Sequence, residues 1–251
     1  MHVRARPWSG VVPAFFALLS LLAAMSAAAS PSLVGGGGID YYQGPGGETS
    51  KSGLAIVGAV AGGTMGSLAL ARYLDNVAGN GLGVIGSLRV PLATNRTLCA
   101  WASRFAGDDS LVAWRIKAGP LFELPSGGNV GLYYTHAEDD AGGHSDAGAA
   151  ELVLPLHAQL TGRASAAFGS APGGLRSALG TVGLGWTPGH GVELTGDVGA
   201  ARNGALVTAA GPPRGPLDRL LGNGGGGGGG KDTEQSRVDP LVQLGLRVLL
   251  P

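Results

Sequence analysis

The chain has a single cysteine, Cys99, in 251 residues. One thiol excludes an intrachain disulfide and any zinc site built on cysteine, and leaves Cys99 as a small apolar wall residue. Charge is scarce and balanced: Lys and Arg number 17, Asp and Glu also 17, and only 14% of the residues are charged. No basic patch interleaved with aromatics occurs among them, which excludes nucleic acid as a partner. After Ala29 no apolar run reaches the roughly 20 residues of a transmembrane helix, so any membrane crossing must be made by strands.

What is abundant is glycine, 48 residues of it, in a chain that is 44% hydrophobic. Such a content ordinarily marks low complexity, but here the glycines are spread through alternating segments rich in Val and Leu. The reading is one ordered β domain. Ahead of it, Arg4 and Arg6, the apolar run Val11 to Ala24 and the small residues Ala27 to Ala29 have the layout of a secretory signal peptide, so residues 1–29 are expected to be removed.

The strand pattern is plainest from Ser177 to Ala200. Val182, Leu184 and Trp186 fall at every second position with Thr181, Gly183 and Gly185 between them; a Pro-Gly-His-Gly turn follows at 188–191. Then Val192, Leu194 and Val198 alternate with Glu193, Thr195 and Asp197. This is a hairpin with one apolar and one polar face, and its interleaved Gly and Ala are too small to fill a soluble core. A wall that faces lipid fits better. Similar alternation repeats along the chain, as in Trp114 to Phe122, and gives about twelve strands, within about ten to fourteen, each near the length of a tilted membrane strand. Short turns alternate with longer polar loops, among them an acidic loop at Ala137 to Gly148 and a Gly-rich external loop at about 201–237. The few aromatics fall mostly at strand ends: Tyr41, Phe105, Trp114, Tyr134 and Phe168 toward one side, Phe122 and Trp186 toward the other, like interfacial girdles.

From Ser30 onward the chain therefore resembles a bacterial outer-membrane β-barrel protein, a resemblance of pattern that belongs to no single family motif. It implies a closed antiparallel up-and-down transmembrane β-barrel over 30–251, a place in the cell outer membrane, and outer-membrane lipid and the assembly machinery as partners. The final Leu250-Pro251 departs from the aromatic ending usual in that class.

The polar face would line the lumen with Asp40, Glu151, Glu193 and Asp197 together with Arg89, Arg115, Lys117, Arg163 and Arg247. The basic residues fall mostly on earlier strands and Glu193 and Asp197 on a later hairpin, so the two signs are expected on separate arcs of a wet, substitution-tolerant wall. The function expected is a non-enzymatic barrel, either a narrow passive pore for small polar solutes or a structural wall protein. An alternative is an adhesin, cation-binding protein or hydrolase acting through the external loops. The densest titratable cluster, His136, Glu138, Asp139, Asp140, His144 and Asp146, is the place for it, and is expected to be mainly a solvated loop. Acyl hydrolysis of the outer-membrane type sets a His two residues before a Ser, and position 138 is Glu. Gly81-Leu82-Gly83-Val84-Ile85-Gly86 matches a dinucleotide fingerprint by letter, but it continues into period-two sequence where a helix would be needed. No cofactor and no metal are expected.

Overall fold

The computed structural model describes residues 32–43, 49–75, 79–107, 114–138, 144–170, 176–189, 191–202 and 238–250. The expected signal peptide, His190 and most of the Gly-rich segment lie outside them. Twelve strands follow in order: β1 Ser32–Gln43, β2 Thr49–Ala61, β3 Thr64–Asp75, β4 Gly79–Ala93, β5 Arg96–Gly107 and β6 Trp114–Glu123. They continue as β7 Asn129–Glu138, β8 His144–His157, β9 Leu160–Ser170, β10 Arg176–Gly189, β11 Val192–Arg202 and β12 Val238–Leu250. Each pairs antiparallel with its sequence neighbours, and β1 pairs with β12, so the sheet closes on itself. Closure leaves no strand edge with unpaired backbone groups, the condition for a sheet to exist in hydrocarbon.

The two ends of the barrel differ. At one, the turn end, strands are joined through residues 62–63, 94–95, 124–128, 158–159 and 190–191. In the first of these turns Gly62 and Gly63 take φ of 57° and 80°, a left-handed pair that glycine adopts without strain. Register shifts at Pro91/Ala93, Pro155/His157 and Trp186/Gly189 fall at the same end, where proline costs no ladder bond within the wall. The other end, the loop end, carries the connections 44–48, 76–78, 108–113, 139–143, 171–175 and 203–237.

Side chains alternate across the wall as period two requires. The outer face exposes Leu70, Leu82, Phe168, Val182, Leu184 and Leu244, each more than half accessible. Between them, residues such as Ala69, Ile85, Ala167, Thr181 and Gln243 are buried inside the closed sheet. Burial thus runs inverse to hydropathy on much of the wall, which suits an apolar solvent outside.

Several boundaries differ from the sequence reading. The acidic loop is shorter than Ala137 to Gly148, because Ala137 and Glu138 end β7 and His144 to Gly148 begin β8; Asp139 and Asp140 lie outside the described residues. Likewise Ala201 and Arg202 belong to β11 rather than to the Gly-rich loop. The 81–86 fingerprint lies within strand β4, with no helix to receive a pyrophosphate. Phe105 is not part of a girdle: it is 4% exposed and points into the barrel, edge-on to Tyr73.

Candidate functional site

The interior of the barrel gathers the charged residues, and glycines determine how they meet. Arg163 on β9, Gly183 on β10 and Asp197 on β11 lie on one line across the sheet. A β-carbon at Gly183 would collide with the Asp197 carboxylate, so the missing side chain is the space through which Asp197 approaches Arg163, at 3.8 Å. Gly131 on β7 stands opposite Glu151 on β8 and is overlain by the ring of Tyr133. Across that gap the Lys117 ammonium on β6 donates a hydrogen bond of 2.8 Å to Glu151. The same ammonium lies 5.0 Å from the Trp101 ring centre and 4.5 Å from that of Tyr133, a cage that stabilises the cation further. Arg247 on β12 and Asp40 on β1 come within 3.9 Å beside Gly245.

The arrangement corrects the expected separation of signs. Three cations pair with three carboxylates, and Glu193 stands opposite Arg247 in the strand register. Arg89 is half-buried on β4, opposite Met65 and Cys99. Arg115 is buried on β6, opposite Ser103 and Ala137. Nor is the wall uniformly wet. Thr195 and Gln243, which the sequence marks as tolerant, are 8% and 3% exposed. Neutral hydroxyls share the layer: Ser165 with Thr181 at 3.0 Å and Ser67 with Ser87 at 2.6 Å.

Toward the loop end the interior holds two apolar clusters, with the buried polar side chains of Arg115, Ser145, Ser177 and Gln243 in or beside the same layers. Tyr42, Leu241, Ala201, Leu179, Ala167 and Ala147 form one continuous cluster over β1, β12, β11, β10, β9 and β8. Tyr73, Phe105 and Ala137 form another from β3, β5 and β7. Together they make a collar contributed by nine of the twelve strands, each member between 1 and 7% exposed. Farther toward the turns the Glu151, Arg163 and Arg247 side chains are 21, 21 and 19% exposed. The sequence shows the alternation that turns these residues inward. It does not show the collar, whose members sit singly near the ends of nine strands; position relative to the loop end was the readable signal.

The titratable cluster lies on the outer face instead, at the loop end of β6, β7 and β8. Asp146 accepts hydrogen bonds from the Tyr134 hydroxyl and lies 2.8 Å from His136 Nδ1. His136 packs against the rings of Trp114 and His144, and Trp114 Nε1 donates to Glu138 at 3.1 Å. Among the described residues no group of three or more His, Cys, Asp or Glu is placed to hold a metal ion. The described outward positions of β7 and β8 near His136 carry no serine, threonine or cysteine, while Ser170 on β9 stands opposite Asp146 in the strand register.

No family model matches the chain, and a search of curated proteins found no match. Solved structures do match. The chain is similar to the KdgM porin, with a TM-score of 0.55 at 12% identity over 84% of this chain and 98% of that one. It is similar to the NanC porin, with a TM-score of 0.52 at 10% identity over 86% and 99%, and to the CymD monoaromatic hydrocarbon channel, with 0.51 at 7% over 93% and 92%. At such identities the likeness is one of fold. The chain has the closed antiparallel barrel fold of outer-membrane porins and channels.

Proposed function

We propose that the chain is a narrow, passive, non-enzymatic channel of a bacterial outer membrane, with its turn end toward the periplasm and its loops outside. The observation that carries this is a closed wall, apolar outside, around an interior in which three cations meet three carboxylates. Barrels of about eight strands are filled by their own side chains and those of about sixteen hold a wide aqueous channel; twelve gives a slender passage. Paired charge neither attracts nor excludes one ion sign, so selectivity is weak. A trough of about 590 Å³ on the outer face, floored by Ala150, Ala164, Ala166 and Gly180, belongs to the lipid contact and not to the passage. The partners are outer-membrane lipid, the assembly machinery that inserts the strands, and small solutes.

The purified full chain in a planar bilayer should give small conductance steps, with a reversal potential near zero in a salt gradient. A barrel that passes neither ions nor uncharged solutes at any voltage is a structural wall protein instead.

A further inference from the structure

We propose that the outer face of the barrel holds one lipid in a built site across β8, β9 and β10, and that this lipid is a two-chain phospholipid with a phosphoethanolamine headgroup. The proposal rests on the lipid-facing wall and on no passage through the barrel.

Three features of that face line up. At the loop end His136, Asp146, Ser170 and Arg176 stand side by side on β7, β8, β9 and β10, all turned outward. Four residues turn-ward on β8, β9 and β10, Ala150, Ala166 and Gly180 floor the trough of about 590 Å³, with Leu152 and Val182 on its far side. Between the polar row and the trough, Gly148 stands in register between Tyr134 and Phe168, which are 57 and 68% exposed. A β-carbon at Gly148 would meet no atom within 4 Å. The two rings therefore flank an opening one strand wide that joins the row to the trough.

Four residues of tilted strand advance about 10 Å along the barrel axis, the depth that separates a headgroup from the upper part of its acyl chains. A chain gains no hydrophobic free energy by leaving other lipid for the trough, because both surroundings are equally apolar. It gains close packing along the floor and sides, and an opening of this width takes one chain of a two-chain lipid. The headgroup then decides which lipid is kept. Asp146 takes its bonds from Tyr134 and His136 on Oδ1, which leaves Oδ2 for a further donor. Ser170 is half-buried and Arg176 exposed, and among the described residues no hydrogen bond or ion pair engages either side chain. A phosphate accepts from Arg176 and the Ser170 hydroxyl, while the ammonium on the same headgroup donates to Asp146 one strand away. Phosphocholine has no proton to donate there. An anionic headgroup without an amine meets Asp146 and, one row farther out, Glu138.

The test is native mass spectrometry of the purified full chain in detergent with equal amounts of dioleoyl phosphatidylethanolamine, phosphatidylglycerol and phosphatidylcholine. Wild type should retain one phosphatidylethanolamine at least about five-fold over either of the others, the worth of one net hydrogen bond to a charged group. Asp146→Asn should remove the preference over phosphatidylglycerol. Gly148→Leu puts a side chain in the opening, on a face that carries leucine elsewhere, and should lose the retained lipid of every class while keeping the heat-shifted gel migration of a folded barrel. Ala166→Phe fills the trough floor, should act the same way, and serves if Gly148→Leu fails to fold.

Equal retention of the three lipids by wild type, or a preference that survives Gly148→Leu and Ala166→Phe, overturns the site. A dimer of the chain that Gly148→Leu dissociates also overturns it, since a second copy then fills the trough. Conductance enters none of these readouts, so the site can fail while the channel stands, and a barrel that passes nothing can still hold the lipid.

Discussion

Leu184→Arg separates a lipid-facing wall from every soluble alternative. Leu184 is 51% exposed between Val182 and Trp186 on the outer face of β10, with Gly162 and Gly196 opposite it on the flanking strands. A strand tilted as in membrane barrels advances about 2.5 Å along the barrel axis per residue. Leu184 then lies roughly 12 Å from Gly189 at the turn end and roughly 20 Å from Arg176 at the loop end, well inside an apolar band about 25 Å tall. Arginine at that depth costs about 2 to 4 kcal/mol, or roughly 30- to 1000-fold in the folding equilibrium. Its long stem lets the guanidinium reach toward the interface, which favours the lower half of that range. The control is Thr161→Arg. Thr161 faces inward on β9 opposite Gly185, in the layer next to Leu184, and a β-carbon built at Gly185 would lie 3.5 Å from a Glu193 carboxylate oxygen and 2.6 Å from Thr161 Oγ1. An arginine at 161 has the Glu193 carboxylate within reach, shared with the Arg163 side chain over the same glycine, and gives up the Thr161 hydrogen bond to the Gly185 carbonyl; its cost should stay below that at Leu184, at about 1 kcal/mol. The measurement is reversible urea unfolding in lipid vesicles, followed by tryptophan fluorescence. Equal costs at the two positions, or a larger one at Thr161, would refute the assignment of faces.

Two further substitutions probe the interior. Gly183→Ala drives a methyl group into the Asp197 carboxylate and the Gly196 carbonyl, so it should lower stability by about 1 to 3 kcal/mol through overpacking, read as a lower urea midpoint at unchanged slope; an unchanged midpoint means that the glycine gap is unnecessary. Glu151→Gln keeps an oxygen that can accept from the Lys117 ammonium, between Trp101 and Tyr133, but removes one negative charge from the passage. It should shift the reversal potential toward anions, and a shift toward cations, or none, would show that ions do not pass this pair.

The alternation of faces was legible because it is local. Val182, Leu184 and Trp186 against Thr181, Gly183 and Gly185 needs no knowledge of the rest of the chain, and in β10 those three apolar residues are the exposed ones. The strand ends were less so. In β7 and β8 the ladder continues through Ala137 and Glu138 and resumes at His144, because backbone pairing is indifferent to the polarity of outward side chains near the headgroup layer. Phe105 was misplaced for a related reason. Proximity to a strand end says that an aromatic is near the interface, while only its parity, against exposed Arg104, says that it points inward.

The pairing of charge was hidden by something else. Order along the chain puts Lys117 and Glu151 on different hairpins, and an argument from order alone keeps their signs apart. In a closed sheet, however, residues two strands apart face the same narrow interior, and the strand between decides whether they touch. A large side chain there keeps them separate; glycine lets them meet. Gly131 lies between the strands of Lys117 and Glu151, Gly183 between Arg163 and Asp197, and Gly245 beside Asp40 and Thr195. Part of the glycine content that looks like low complexity in the sequence is therefore the counterpart of the charged content: each gap admits a carboxylate from a neighbouring strand or, at Gly131, a ring from its own. Filling one gap should release one charge pair and leave the others in place, because the gaps lie on different strands and share no side chain.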